Sequence, residues 1–149
     1  MELTAFTAMT TAESVCYTRT GTARGDILSF VMPFDAKGVS ETRTELRVYL
    51  DGAGFRVCAA DLMHLAGFSN KVGATWLLRR HVQPEGRRLC IVADKTGRQR
   101  RMWQLNTYGV MALLSGIGTP FAKALGRYLR EVVFRAVRME IARDTGSRP

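Results

Sequence analysis

The side chains with the clearest chemical purpose are arginines. Residues 71 to 110 hold nine basic groups, Lys71, Arg79, Arg80, Arg87, Arg88, Lys95, Arg98, Arg100 and Arg101, against Glu85 and Asp94, a local charge of +7. Seven of the nine are arginine, whose planar fork pairs bidentately with phosphate or with a guanine edge. The first 70 residues sum to −2 and residues 111 to 149 to +4, so the +9 of the whole chain is strongly segregated. Segregated charge gives a molecule a positive pole that steers it toward polyanions and weakens with salt, which makes DNA the expected partner. The bland alternative is a solvated face that keeps a small protein soluble.

Covalent and acid–base chemistry finds little to work with. His64 and His81 fall in separate helical stretches with no acid or cysteine at matching spacing, so neither is expected to bind metal or move a proton. The three cysteines, Cys16, Cys58 and Cys90, fit neither a disulfide framework nor a zinc site and point to a reducing, intracellular compartment. Cys58 and Cys90 stand in apolar β-like runs and are expected to be buried small hydrophobes. Gly116 and Gly118 lack the Gly-Lys-Ser/Thr of a phosphate-binding loop, and no serine occupies a nucleophile elbow. The expectation is a protein that is not an enzyme, with no cofactor and no metal. No apolar run approaches the roughly 20 residues of a membrane span, and residues 1 to 9 lack the features of a secretory signal.

Only packed elements can aim such arginines, and 149 residues with 46% apolar content suffice for one domain with a core. The pattern predicts a mixed α+β fold, a small antiparallel sheet and hairpins packed against about four helices, with a long C-terminal helix. Residues 1–25, rich in Thr and Ala without a sustained period, are expected to form a loosely held arm; 26–144 form the domain and 145–149 a short tail. Ile27 to Phe34 reads as an edge strand, with Pro33 near its end. Glu45 to Asp51 alternates, Asp51-Gly52-Ala53-Gly54 turns, and Phe55 to Cys58 returns, making a hairpin. Asp61 stands in the first turn of a helix that stops at Gly67. Ser69 is set to cap a second helix, Asn70 to His81, with Val72, Trp76 and Leu77 inward and Lys71, Arg79 and Arg80 outward.

The stretch from Leu89 to Leu105 carries the sharpest expectation. Leu89-Cys90-Ile91-Val92 enters an Asp94-Lys95-Thr96-Gly97 turn and Arg98 to Leu105 leaves it. Arg98, Arg100, Met102 and Gln104 share one face, and Gln99, Arg101, Trp103 and Leu105 the other. The result is a cationic finger on an apolar root, a shape able to enter the major groove or track phosphates. Its alternative is an exposed hairpin whose charges discourage edge pairing. Beyond it, Asn106 or Thr107 caps a helix from Tyr108 to Leu114, broken by Ser115-Gly116-Ile117-Gly118. Thr119 and Pro120 open the long helix. Phe121, Leu125, Tyr128 or Leu129, Val132, Ala136 and Val137 form its buried stripe, leaving Lys123, Arg127, Arg130, Phe134 and Arg138 outward. Phe134 on that charged face marks either a dimer contact or a local pack.

Five landmarks in this order resemble one family. They are Arg47-Val48 with Phe55-Arg56-Val57; Ala60-Asp61-Leu62 with Leu65-Ala66-Gly67-Phe68-Ser69-Asn70; Arg98 to Leu105 with Asn106-Thr107-Tyr108-Gly109-Val110; Ser115 with Pro120-Phe121-Ala122-Lys123; and Tyr128, Glu131-Val132 and Val137-Arg138 in the closing helix. Together they span about two thirds of the chain. Their order is similar to the N-terminal domain of viral Bro proteins and phage antirepressors. The chain departs from that pattern in the extra Ala66, in Tyr108 and Phe121, in Tyr128 where Trp is frequent, and in Phe134-Arg135 where Leu-Pro is frequent. The resemblance implies a viral or prophage origin, a regulatory or antirepressor-like task, and the cytoplasm or nucleus of the host as its location. Many members carry a second, C-terminal domain, so a chain ending at Pro149 acts alone or is a fragment.

The expected function is therefore DNA binding through the hairpin and nearby helix arginines. The rival is a protein-binding module that sequesters a repressor or a host defence protein, with the charge matching an acidic surface. A third reading is single-stranded nucleic acid or RNA, with Trp76, Trp103 or Tyr108 as stacking platforms. Against it, Trp76 and Trp103 have apolar neighbours that favour a core position.

Overall fold

The computed structural model describes residues 16–36, 38–52, 54–68, 71–93 and 96–145. Two long hairpins open the chain. Strand β1 (Tyr17–Thr22) pairs antiparallel with β2 (Gly25–Asp35), and β2 with β3 (Gly38–Asp51), with a register shift between Met32 and Phe34. Pro33 lies at that shift; having no N–H to give the ladder, it suits an irregular position. Strand β4 (Gly54–Cys58) returns along β3 after a turn in which Gly52 adopts φ +62°. After two helices come β5 (Arg87–Ala93) and β6 (Gln99–Leu105), the second inserted between β4 and β5. The strand order is β1-β2-β3-β4-β6-β5, antiparallel throughout.

One face of this sheet carries the core. Leu28, Phe30, Leu46, Val48, Val57 and Leu105 are all buried and alternate with residues of the opposite face, as the strand period of two requires. Helix α1 (Ala59–Leu65) follows β4 directly and buries Leu62, Met63 and Leu65. It ends at Gly67, φ +97°, where its last carbonyls are capped without a Cβ clash. Helix α2 (Lys71–His81) leads through a short 3-10 turn (Pro84–Gly86) into β5. Helix α3 (Thr107–Ile117) begins at Asn106, whose side chain accepts from the Gly109 N–H at 2.8 Å. Helix α4 (Pro120–Tyr128) begins at Thr119, whose hydroxyl accepts from the Ala122 N–H at 3.1 Å. A π turn (Leu129–Val133) joins α4 to α5 (Phe134–Thr145), so that one helix runs from Pro120 to Thr145.

The fold class expected from the sequence is the one observed, and the differences lie in particulars. Residues 17–25 are not part of a loose arm. Tyr17–Thr22 is the edge strand, which moves Ile27–Phe34 one place inward; residues 1–15 lie outside the described residues. What fixes β1 is tertiary: Arg19 pairs with Asp26, Glu140 and Asp144, and the Tyr17 hydroxyl donates to Glu140 at 2.6 Å, tying the strand to α5. Helix α3 runs through Ser115 and Gly116 and stops only at Gly118, φ +71°. Gly116 serves close approach: a Cβ there would collide with the His81 ring of α2.

Phe134 is the clearest correction. Straight α-helical spacing places it among the outward arginines, yet it is 1% exposed and packs against Phe55 with ring centroids 5.4 Å apart. The Phe134 N–H donates to the Leu129 carbonyl, an i to i−5 bond that puts an additional residue in the turn. One residue is about 100° of helical rotation, so every side chain after the π turn is re-aimed. The dimer-contact reading of Phe134 ends there.

Candidate nucleic-acid interface

The hairpin of β5 and β6 is a graded structure. Gln99, Arg100 and Arg101 are exposed, Met102 and Trp103 half-buried, Gln104 and Leu105 buried. Its root is held by the pairs Val57–Leu105 and Cys58–Gln104. Arg87 belongs to that root: its Nε donates to the Val82 carbonyl at 3.1 Å and its guanidinium lies over the Trp103 ring at 5.4 Å. Arg101 shares a sheet face with Trp103, Leu89 and Ile91, while Arg100 and Arg88 share the opposite face with Met102, Cys90 and Gln104. Arg98 is exposed beside the tip turn, where Gly97 takes φ +84°.

Helix α2 brings the second set. Arg79 and Arg80 are exposed, and the Arg80 guanidinium stacks over Trp76 at 5.1 Å. Trp76 is 58% exposed and does not face the core; Leu78 and Val82 do. These two are four residues apart, a stripe that only shows when Val82, just past the helix end, is counted with it. Between α2 and the hairpin tip runs an apolar groove of about 410 Å³, bordered by Ala60 and Met63 of α1, Leu78 of α2, and Arg100, Arg101 and Trp103 of β6.

The nine basic residues named from the sequence thus fall into different settings. Arg79 and Arg80 are exposed on α2, whose Thr75 and Leu78 line the groove; Arg98, Arg100 and Arg101 are exposed at the hairpin tip, and of these Arg100 and Arg101 border the groove. Arg87 is engaged in the hairpin root. Arg88 points to the other face of the sheet. There it borders a cavity of about 470 Å³ together with Arg24, Arg56, Tyr49 and Gln104. Lys71 opens α2 with its side chain outside the described residues, and Lys95, like Ser69, lies outside them altogether. Among the described residues no carboxylate forms an ion pair with Arg79, Arg80, Arg88 or Arg101, whereas Arg19, Arg47, Arg56, Arg127 and Arg143 are each ion-paired.

Tyr108, named from the sequence as a stacking platform, is 58% exposed; Trp76, expected in the core, is equally exposed, and the exposed Leu89 and Ile91 of β5, at 45% and 44%, were not singled out from the sequence. The i, i+4 spacing of Trp76 and Arg80 was the available signal for Trp76. Asp61, in the first turn of α1, accepts from the Arg47 Nε at 2.9 Å, from its Nη2 at 3.0 Å and from its backbone N–H at 2.9 Å. Burial pushes the Cys58 thiol up, away from a nucleophilic thiolate, and likewise raises the neighbouring Tyr49 hydroxyl. Cys90 is only half-buried, a correction to its expected core position that follows from β5 being an edge strand. His64 is exposed and His81 packs on Gly116. Among the described residues no group of three or more His, Cys, Asp or Glu side chains is arranged to hold a metal ion. No helix is long and apolar enough to cross a membrane among these residues.

Comparison of the chain with protein-family models, with curated proteins and with solved structures gives no match.

Proposed function

We propose that the protein binds DNA through the hairpin tip and the outward face of α2. The observation that carries the reading is the placement of Arg79, Arg80, Arg98, Arg100 and Arg101, all exposed, on two elements that flank one groove. A two-stranded ribbon with a charged tip and a packed root can hold guanidinium groups against phosphates or base edges. The order of hairpin, paired helices, basic hairpin and closing helices is the one that prompts the Bro N-terminal resemblance, and with it a regulatory, antirepressor-like role in a virus or prophage. No chemistry beyond binding is needed by this reading.

Fluorescence polarisation with a random duplex, a single strand and an RNA, each across a salt series, tests it. Each phosphate contact adds roughly 0.9 to the negative log–log salt slope on duplex DNA. Duplex binding with a slope reporting several contacts supports the proposal. Absence of binding at low salt removes it, and preference for the single strand or RNA would shift attention to exposed Trp76, a stacking surface that already carries Arg80.

A further inference from the structure

We propose that the groove beside the hairpin tip is a docking site for an extended, acidic segment of a partner protein. Strand β4 stops at Cys58, and its last pair with β6 is Cys58 with Gln104. Among the described residues, therefore, no strand flanks Arg100 to Trp103 on the side away from β5. The four consecutive residues Arg100, Arg101, Met102 and Trp103 all border the groove. Alternate side chains of a strand point to opposite faces, so consecutive residues line one space only when the strand is approached along its edge. The groove is a vacant strand position between β6 and the helices.

An extended chain matches that position. Edge pairing supplies main-chain hydrogen bonds, and alternate side chains of the added strand drop into whatever the walls offer. Here the floor is Ala60, Met63, Leu78 and Trp103, which suits an apolar anchor, and the rim is Arg100 and Arg101, which suits carboxylates. Leu89 and Ile91, nearly half exposed on the face of Arg101 and Trp103, extend the apolar surface past the groove. A nucleobase matches less well, because its polar edge would lose water against alanine, methionine and leucine side chains without replacement bonds. The inference does not depend on the DNA reading. Since Arg100 and Arg101 belong to both surfaces, an acidic segment in the groove and DNA on the hairpin would exclude each other.

The test is to pan a random nine-residue peptide library against the full chain and against its Ala60→Phe variant. Ala60 is exposed on α1, so phenylalanine there occupies the groove without entering the core. The expected result is enrichment, on the parent only, of sequences alternating acidic with apolar residues. A synthesised representative should bind Ala60→Phe and Arg101→Glu at least about tenfold more weakly, the second variant standing in if the first unfolds. N-methylation of alternate amides in that peptide should abolish binding. Duplex DNA affinity should be unchanged in Ala60→Phe and reduced in Arg101→Glu, which separates failure of the groove from failure of the DNA reading. No enrichment, or a representative peptide that binds both variants as tightly as the parent, overturns the proposal. Thymidine monophosphate binding that Ala60→Phe removes would assign the groove to a base, and overturns it equally.

Discussion

Replacing Arg98, Arg100 and Arg101 together with alanine should separate binding from folding. All three side chains are exposed, and the buried Gln104–Leu105 root lies further along β6. Exposed substitutions of this kind usually change stability by less than about 0.5 kcal/mol each, so the thermal unfolding midpoint should move little. The effect on DNA can be worked from counterion release. If all three arginines contact phosphates, the negative salt slope should flatten by about 2.7, which at about 0.1 M salt corresponds to roughly 500-fold weaker binding. If only one does, the slope falls by about 0.9 and the loss is about eightfold. Polarisation titrations of a labelled duplex at several salt concentrations read both numbers at once. Arg127→Ala with Arg138→Ala, on the outer face of the long helix, is the internal control and should leave both unchanged. A folded triple variant that keeps the parent affinity and slope would refute the hairpin assignment.

Three further outcomes test the fold that supports this surface. Phe134→Ala should destabilise by about 3–5 kcal/mol in urea unfolding, because a fully buried ring leaves a cavity; a loss under about 1 kcal/mol would mean that the π turn does not re-aim the helix. Asp61→Asn replaces an ionic acceptor of three Arg47 hydrogen bonds in a part-buried setting and should lose about 1–3 kcal/mol, an effect that Arg47→Ala in the same chain should not deepen additively. The Tyr17 hydroxyl and the Arg19 guanidinium hold the Glu140 carboxyl below its usual range, so its contribution is complete above about pH 4.5 and is lost as pH falls through the lower folded value. Glu140→Gln should accordingly melt earlier than the parent at neutral pH and converge with it in acid; an undiminished gap at about pH 2 would contradict the linkage.

Elements whose signals are local were legible in the sequence. The Asn106 and Thr119 caps, Pro120 at a helix start, the Gly52, Gly67 and Gly97 turns, and the alternation of Leu46 and Val48 each act within a few residues, and each appears where that chemistry puts it. The position of Tyr17–Thr22 was not legible, because the strand is held by Asp144 and Glu140, more than a hundred residues away. Nor was the orientation of Trp76, since its helix turns Leu78 and Val82 inward to meet a core built from other elements.

What the sequence determined by itself is the chemistry of the candidate surface, an arginine-rich stretch, and the class of fold that carries it. Charge type and periodicity are properties of neighbouring residues, so they survive without coordinates. Which arginines meet was decided only by tertiary structure. The sheet sends Arg88 to the face opposite Arg101, draws Arg87 into the root, and stops β4 at Cys58 so that a groove opens beside Arg100 and Arg101. Those outcomes depend on where strands end against one another and how helices roof them, and packing between distant segments sets both.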